Sequence, residues 1–117
     1  MASFPFRCIA FDLDGTIVDS APDLAVALNV ALVQLGRAPL PLDRVRAMIG
    51  HGTHTLLRRG LEATGGSDDA LVAHGLPLLM DNYHAHICDL SRPYPGVEQA
   101  MDALAALGVT LALCTNK

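Results

Sequence analysis

The chain has 117 residues, about the length of one ordinary domain. Its 51% hydrophobic and 17% charged content is that of a folded protein rather than a disordered one. A net charge of −4 with no basic run speaks against a nucleic-acid partner, and no apolar run reaches the ~18 residues that span a bilayer.

Residues 6–11 read as a buried, continuously apolar strand of the parallel kind. Asp12-Leu13-Asp14-Gly15-Thr16 follows, and then Ile17-Val18-Asp19-Ser20. Two carboxylates two residues apart at a strand end suit phosphoryl transfer through an aspartyl-phosphate. Asp12 can act as a covalent nucleophile, and Asp14, one strand period on, can point the same way and handle the proton. Gly15 permits a sharp turn and Thr16 can fix it. A plain Asp-Gly turn is the simpler alternative. The long ordered string around it favours the chemical reading.

Ser20-Ala21-Pro22-Asp23 predicts a helix start, with Ser20 capping, Pro22 in the first turn and Asp23 completing a capping box. Leu24, Leu28, Ala31, Leu32 and Leu35 recur at helical spacing, and Gly36 stops them. A short helix is expected over 42–49, a break at Gly50-His51-Gly52, and a helix over 53–63 with Leu56, Leu57 and Leu61 inward. Gly65-Gly66-Ser67 is a loop, and Ser67 is the expected cap of a helix opened by Asp68 and Asp69. That helix carries Leu71, Leu78, Leu79 and Tyr83, and its Gly75 and Pro77 predict a kink or a split. Residues 90–96 form a Pro-rich linker. Val97, Met101, Leu104 and Leu107 mark an amphipathic helix ended by Gly108, and 109–114 is a second strand-like run. Cys8, Cys88 and Cys114 have no paired or ligand spacing. They read as buried free thiols of a reducing compartment, and the expectation is a cytoplasmic protein without a membrane partner.

Strand, a block of helices, helix, strand is the order of one α/β core with an all-helical insertion. The terminal crossover implies a parallel sheet. The core is expected over 1–20 and 92–117, and the helical cap over 21–91.

The stretch from Phe11 through Asp12-Leu13-Asp14-Gly15-Thr16 to Asp19-Ser20-Ala21-Pro22-Asp23-Leu24 resembles motif I of the haloacid dehalogenase superfamily, and more narrowly the phosphoglycolate phosphatase family. Ile49-Gly50-His51-Gly52 with Leu56-Leu57-Arg58-Arg59 is similar to the start of that family's cap. Tyr94-Pro95-Gly96-Val97 is similar to its return to the core, and Leu111-Ala112-Leu113-Cys114-Thr115-Asn116-Lys117 to its motif II. The resemblance implies a Rossmann-like parallel-sheet core, here incomplete, with an inserted helical cap. It implies a Mg²⁺-dependent phosphatase that acts on a small phosphorylated substrate, 2-phosphoglycolate. Another small phosphate, such as a sugar phosphate or pyrophosphate, and a non-catalytic fragment are the alternatives.

By the same resemblance, the Asp12 carboxylate and the Asp14 backbone carbonyl bind Mg²⁺. Thr115 and the Asn116 N–H hold a phosphoryl oxygen, aided by the Gly15 and Thr16 N–H groups. His51 helps select substrate, and Arg58 or Arg59 can meet a substrate carboxylate. Asp19 reads as a helix-entry residue, and His54, His74, His84 and His86 as surface or packing residues. The family also carries a later Lys and a later acidic pair. The expectation is therefore an N-terminal portion with weak Mg²⁺ affinity, little activity and marginal stability.

Overall fold

The computed structural model describes residues 3–115. Strand β1 (Cys8–Phe11) lies parallel to β4 (Thr110–Leu113), with Cys8 opposite Thr110 and Phe11 opposite Leu113. The ladder is extended at both ends, where Thr110 N–H donates to the Arg7 carbonyl at 2.9 Å and Cys114 N–H to the Phe11 carbonyl at 2.7 Å. The connection between these strands brings in helix α5 (Val97–Ala106), which packs beside β4. This is the parallel pair that the crossover required.

The strands are not buried as their composition suggested. Cys8 and Ala10 are exposed, and Ile9 and Phe11 are half-buried. No residue of α5 is buried, and Leu107 and Leu113 are 46% and 58% exposed. Two strands and one helix cannot cover both faces of a sheet. The same openness leaves Cys8 and Cys114 exposed as free thiols, and Cys88, in the segment after α4, is exposed as well, against the expectation that all three are buried.

The hydrophobic core sits elsewhere, among α1 (Ala21–Gln34), α2 (Leu42–Arg46), α3 (Thr53–Ala63) and α4 (Asp69–Ala85). Leu24, Leu28, Ala31 and Leu32 of α1 meet Leu56, Leu57 and Leu61 of α3 and Val72, Leu79 and Tyr83 of α4. Each set repeats at helical spacing, so one stripe per helix faces inward. The Asn29 side-chain amide brackets Leu40, donating to its carbonyl at 2.9 Å and accepting from its N–H at 2.8 Å. Arg37 donates to the Leu61 and Gly66 carbonyls at 3.0 and 2.9 Å, at the C-terminal end of α3 where carbonyls lack helical partners.

Several local expectations are corrected. α2 stops at Arg46 rather than at residue 49. Asp68, not Ser67, caps α4, accepting from the Leu71 N–H at 2.7 Å. α4 runs unbroken through Gly75 and Pro77. Pro77 lacks the N–H that would meet the Ala73 carbonyl, but both residues are exposed, so water can serve that carbonyl. Gly75 is buried against Leu35 and Leu57, so its lack of a side chain serves helix packing.

A second small sheet, not foreseen, laces the two parts together. β2 (Val18–Asp19) pairs antiparallel with β3 (Arg92–Pro93), and Tyr94 N–H donates to the Ile17 carbonyl at 3.0 Å. Asp23 does not complete a capping box. It is 3% exposed, and its carboxylate accepts from the Leu90 and Ser91 N–H groups and the Ser91 hydroxyl at 3.0, 2.7 and 2.5 Å. The molecule is elongated, 59 × 23 × 23 Å, with a radius of gyration of 17.2 Å. A compact chain of this length has roughly 13 Å.

Candidate active site

Asp12 follows the last residue of β1 and is exposed. Its Oδ1 accepts from the Leu13 N–H at 2.8 Å, which fixes one carboxylate oxygen against its own turn. The chain then wraps around one carbonyl: Thr16, Ile17 and Val18 N–H groups approach the Leu13 oxygen at 3.4, 3.1 and 3.1 Å. Gly15, at φ 78°, makes this loop possible, because side chains seldom adopt that backbone. Asp14 bridges to Val18 and is half-buried. Its Oδ1 accepts the Ser20 hydroxyl proton at 2.7 Å. Ser20 is 1% exposed and makes no side-chain helix cap, so its hydroxyl serves Asp14 rather than the predicted cap.

A cleft of about 420 Å³ opens beside these two carboxylates. Asp12 and Asp14 line one end. The helical side contributes Leu24 from α1, then Ile49, Gly50, Gly52, Thr53 and Leu56. α4 contributes Met80, Tyr83, His84 and Ile87 or its immediate continuation. Those last four positions follow the i, i+3, i+4, i+7 rule of one helix face. His84 is exposed, in keeping with its reading as a surface or packing residue, and the periodicity that brings it to the cleft is visible in the sequence.

The other expected site residues are distributed as follows. Gly15 and Thr16 shape the turn. Their N–H groups have acceptors within the turn, in the Val18 carbonyl at 3.0 Å and the Leu13 carbonyl at 3.4 Å. Thr115 lies just past β4, on the same end of the sheet as Asp12, and is outside the cleft lining. Asn116 lies outside the described residues. Gly50 and Gly52 reach the cleft, whereas the exposed His51 lies 3.5 Å from the Arg59 guanidinium. Arg59 donates to the Met48 carbonyl at 3.1 Å, and Arg58 faces Glu62 at 3.9 Å on the exposed side of α3.

Asp19 has a larger part than helix entry. The Arg46 guanidinium grips it with two bonds, 2.6 and 2.8 Å, tying β2 to α2. Hydrogen bonding to Arg46 holds the Asp19 carboxyl below its ordinary value of 3.8, against a smaller opposing effect of burial. The same bond raises Arg46.

Among the described residues, no three His, Cys, Asp or Glu side chains gather into a metal site. Asp12 and Asp14 offer hard oxygen donors at one place, a set that fits Mg²⁺ rather than a metal preferring nitrogen or sulfur.

The haloacid dehalogenase-like hydrolase family matches residues 6–117. The chain is 50% identical over 110 residues to a phosphoglycolate phosphatase of Caulobacter vibrioides, covering 93% of this chain and 46% of that protein. It is 46% identical to the phosphoglycolate phosphatase of Pseudomonas syringae, covering 95% of this chain and 42% of that protein. The crystal structure of a predicted phosphoglycolate phosphatase from Haemophilus somnus superposes with a TM-score of 0.86 at 33% identity, over 96% of this chain and 52% of that one. The chain thus spans about half the length of the curated relatives it matches. With a family match over nearly its whole length and that family's fold, the chain belongs to the haloacid dehalogenase-like hydrolases.

Proposed function

We propose that this chain carries the nucleophile half of a phosphatase that hydrolyses 2-phosphoglycolate to glycolate and phosphate. The observation that carries the reading is the pair Asp12 and Asp14 at the carboxyl end of a parallel strand, lining a cleft beneath the helices. Open α/β sheets bind ligands at that end. The relatives named phosphoglycolate phosphatase supply the substrate. We also take residues 21–91 as the cap, and 1–20 with 92–117 as part of the core. The separate helical core and the laced crossing at β2 and β3 support that division.

Asp12 attacks phosphorus in line with the leaving oxygen, forming an aspartyl-phosphate as the ester P–O bond breaks. Asp14 gives its proton to the departing glycolate oxygen. Asp14, now a carboxylate, then removes a proton from water, whose oxygen attacks phosphorus. The acyl-phosphate P–O bond breaks, releasing phosphate and restoring Asp12. The Ser20 hydroxyl orients Asp14 for both transfers. The Asp12 carboxylate and the Asp14 carbonyl would hold Mg²⁺, which would supply the charge that offsets repulsion between two anions. Thr115 and Asn116 are our phosphate contacts, with Gly15 and Thr16 of the turn. His51 stands at the rim of substrate selection.

The test is phosphate release from 2-phosphoglycolate with Mg²⁺. Asp12→Asn abolishes the low turnover that the unsubstituted chain shows, with the fold retained by circular dichroism, and chelation silences the unsubstituted chain until Mg²⁺ is returned. Unchanged turnover in Asp12→Asn ends the reading. A panel containing a sugar phosphate and pyrophosphate ranks the competing substrates.

A further inference from the structure

We infer that His84 receives the carboxylate of the substrate and is a specificity-determining residue of the cleft. The inference rests on Asp12 as nucleophile and on a substrate with two anionic ends. When the phosphoryl group sits at Asp12, its far end meets walls that include Leu24, Ile49, Leu56 and Met80. A carboxylate placed against such aliphatic surface loses water and needs a donor in return.

No arginine lines the cleft among the described residues, and five of them already have partners. Arg59 holds the Met48 carbonyl, Arg58 faces Glu62, and Arg46 is clamped on Asp19. Arg37 holds the Leu61 and Gly66 carbonyls, and Arg92 the Ser91 carbonyl. Among the described residues that line the cleft, His84 is the one side chain with a basic nitrogen. It sits on the same face of α4 as Met80, one turn nearer the C-terminus, and its ring N–H donates in either charge state. Thr53, also in the lining, can add a hydroxyl but no charge.

The experiment compares KM for 2-phosphoglycolate and for ethyl phosphate, which lacks the carboxylate, in the unsubstituted chain, His84→Ala and His84→Gln. His84→Ala is expected to raise KM for 2-phosphoglycolate about tenfold, the order of one lost hydrogen bond to a charged group. KM for ethyl phosphate stays as it was, and His84→Gln, which keeps an N–H donor, recovers part of the loss. If His84→Ala shifts both substrates equally or neither, the inference falls while Asp12 keeps its role. If the unsubstituted chain hydrolyses neither ester, the inference falls together with the proposed function.

Discussion

Asp23 shows what one buried carboxylate can do away from the chemistry. It collects three donors from the segment that returns from the helices, among them the buried Ser91. Asp23→Ala strands at least two of those donors away from water, and a loss of about 3 kcal/mol in urea unfolding is expected. Asp19 makes a smaller, pH-dependent contribution. Its folded carboxyl lies below 3.8, so the stabilisation is complete above that pH and disappears as pH falls through the lower folded value. The gap in Tm between the unsubstituted chain and Asp19→Asn should therefore hold steady near neutrality, close below pH 3.8, and narrow with added salt. The sequence announced Asp12 and Asp14 through an ordered string. It hid Asp23 and Asp19, because their partners lie at Ser91 and Arg46, and no local spacing encodes a contact across that distance.

Helix faces were the most legible elements. Leu56, Leu57 and Leu61 are buried as their spacing required, because α3 has neighbours to bury them. α5 has an equally regular stripe, yet none of its residues is buried. Periodicity states which face seeks cover and not whether cover exists. Close approach of helices was illegible for a related reason. Gly60 looks like a weak point in α3, but a Cβ there would stand 2.9 Å from Cδ1 and 3.3 Å from Cδ2 of the fully buried Leu28. Gly60→Ala gains about 1 kcal/mol of helix propensity and costs about 2 kcal/mol in overpacking. A net destabilisation of about 1 kcal/mol by chemical denaturation is expected. A gain in stability would show that Leu28 yields freely.

At the scale of the molecule, stability is unevenly spread. The buried apolar side chains belong almost wholly to α1–α4, while β1, β4 and α5 are mostly exposed. Hydrogen exchange should follow this division, with amides of α1 and α3 protected at least about a hundredfold more than those of β1 and β4. Equal protection would mean that the two parts unfold as one. The proposed site straddles them, since Asp12 and Asp14 stand on the thinly covered side and Thr53 and His84 on the well-packed one.

The small pairing of Val18–Asp19 with Arg92–Pro93 has a topological consequence. Seen from the sheet, α1–α4 are the loop of a β-hairpin, leaving and returning at adjacent backbone positions. The closure entropy of a loop grows only logarithmically with length, about 0.6 kcal/mol for each doubling. The hairpin therefore sets little limit on what it carries. The whole helical block can be exchanged for another, larger or smaller, without widening the gap between its two anchor points.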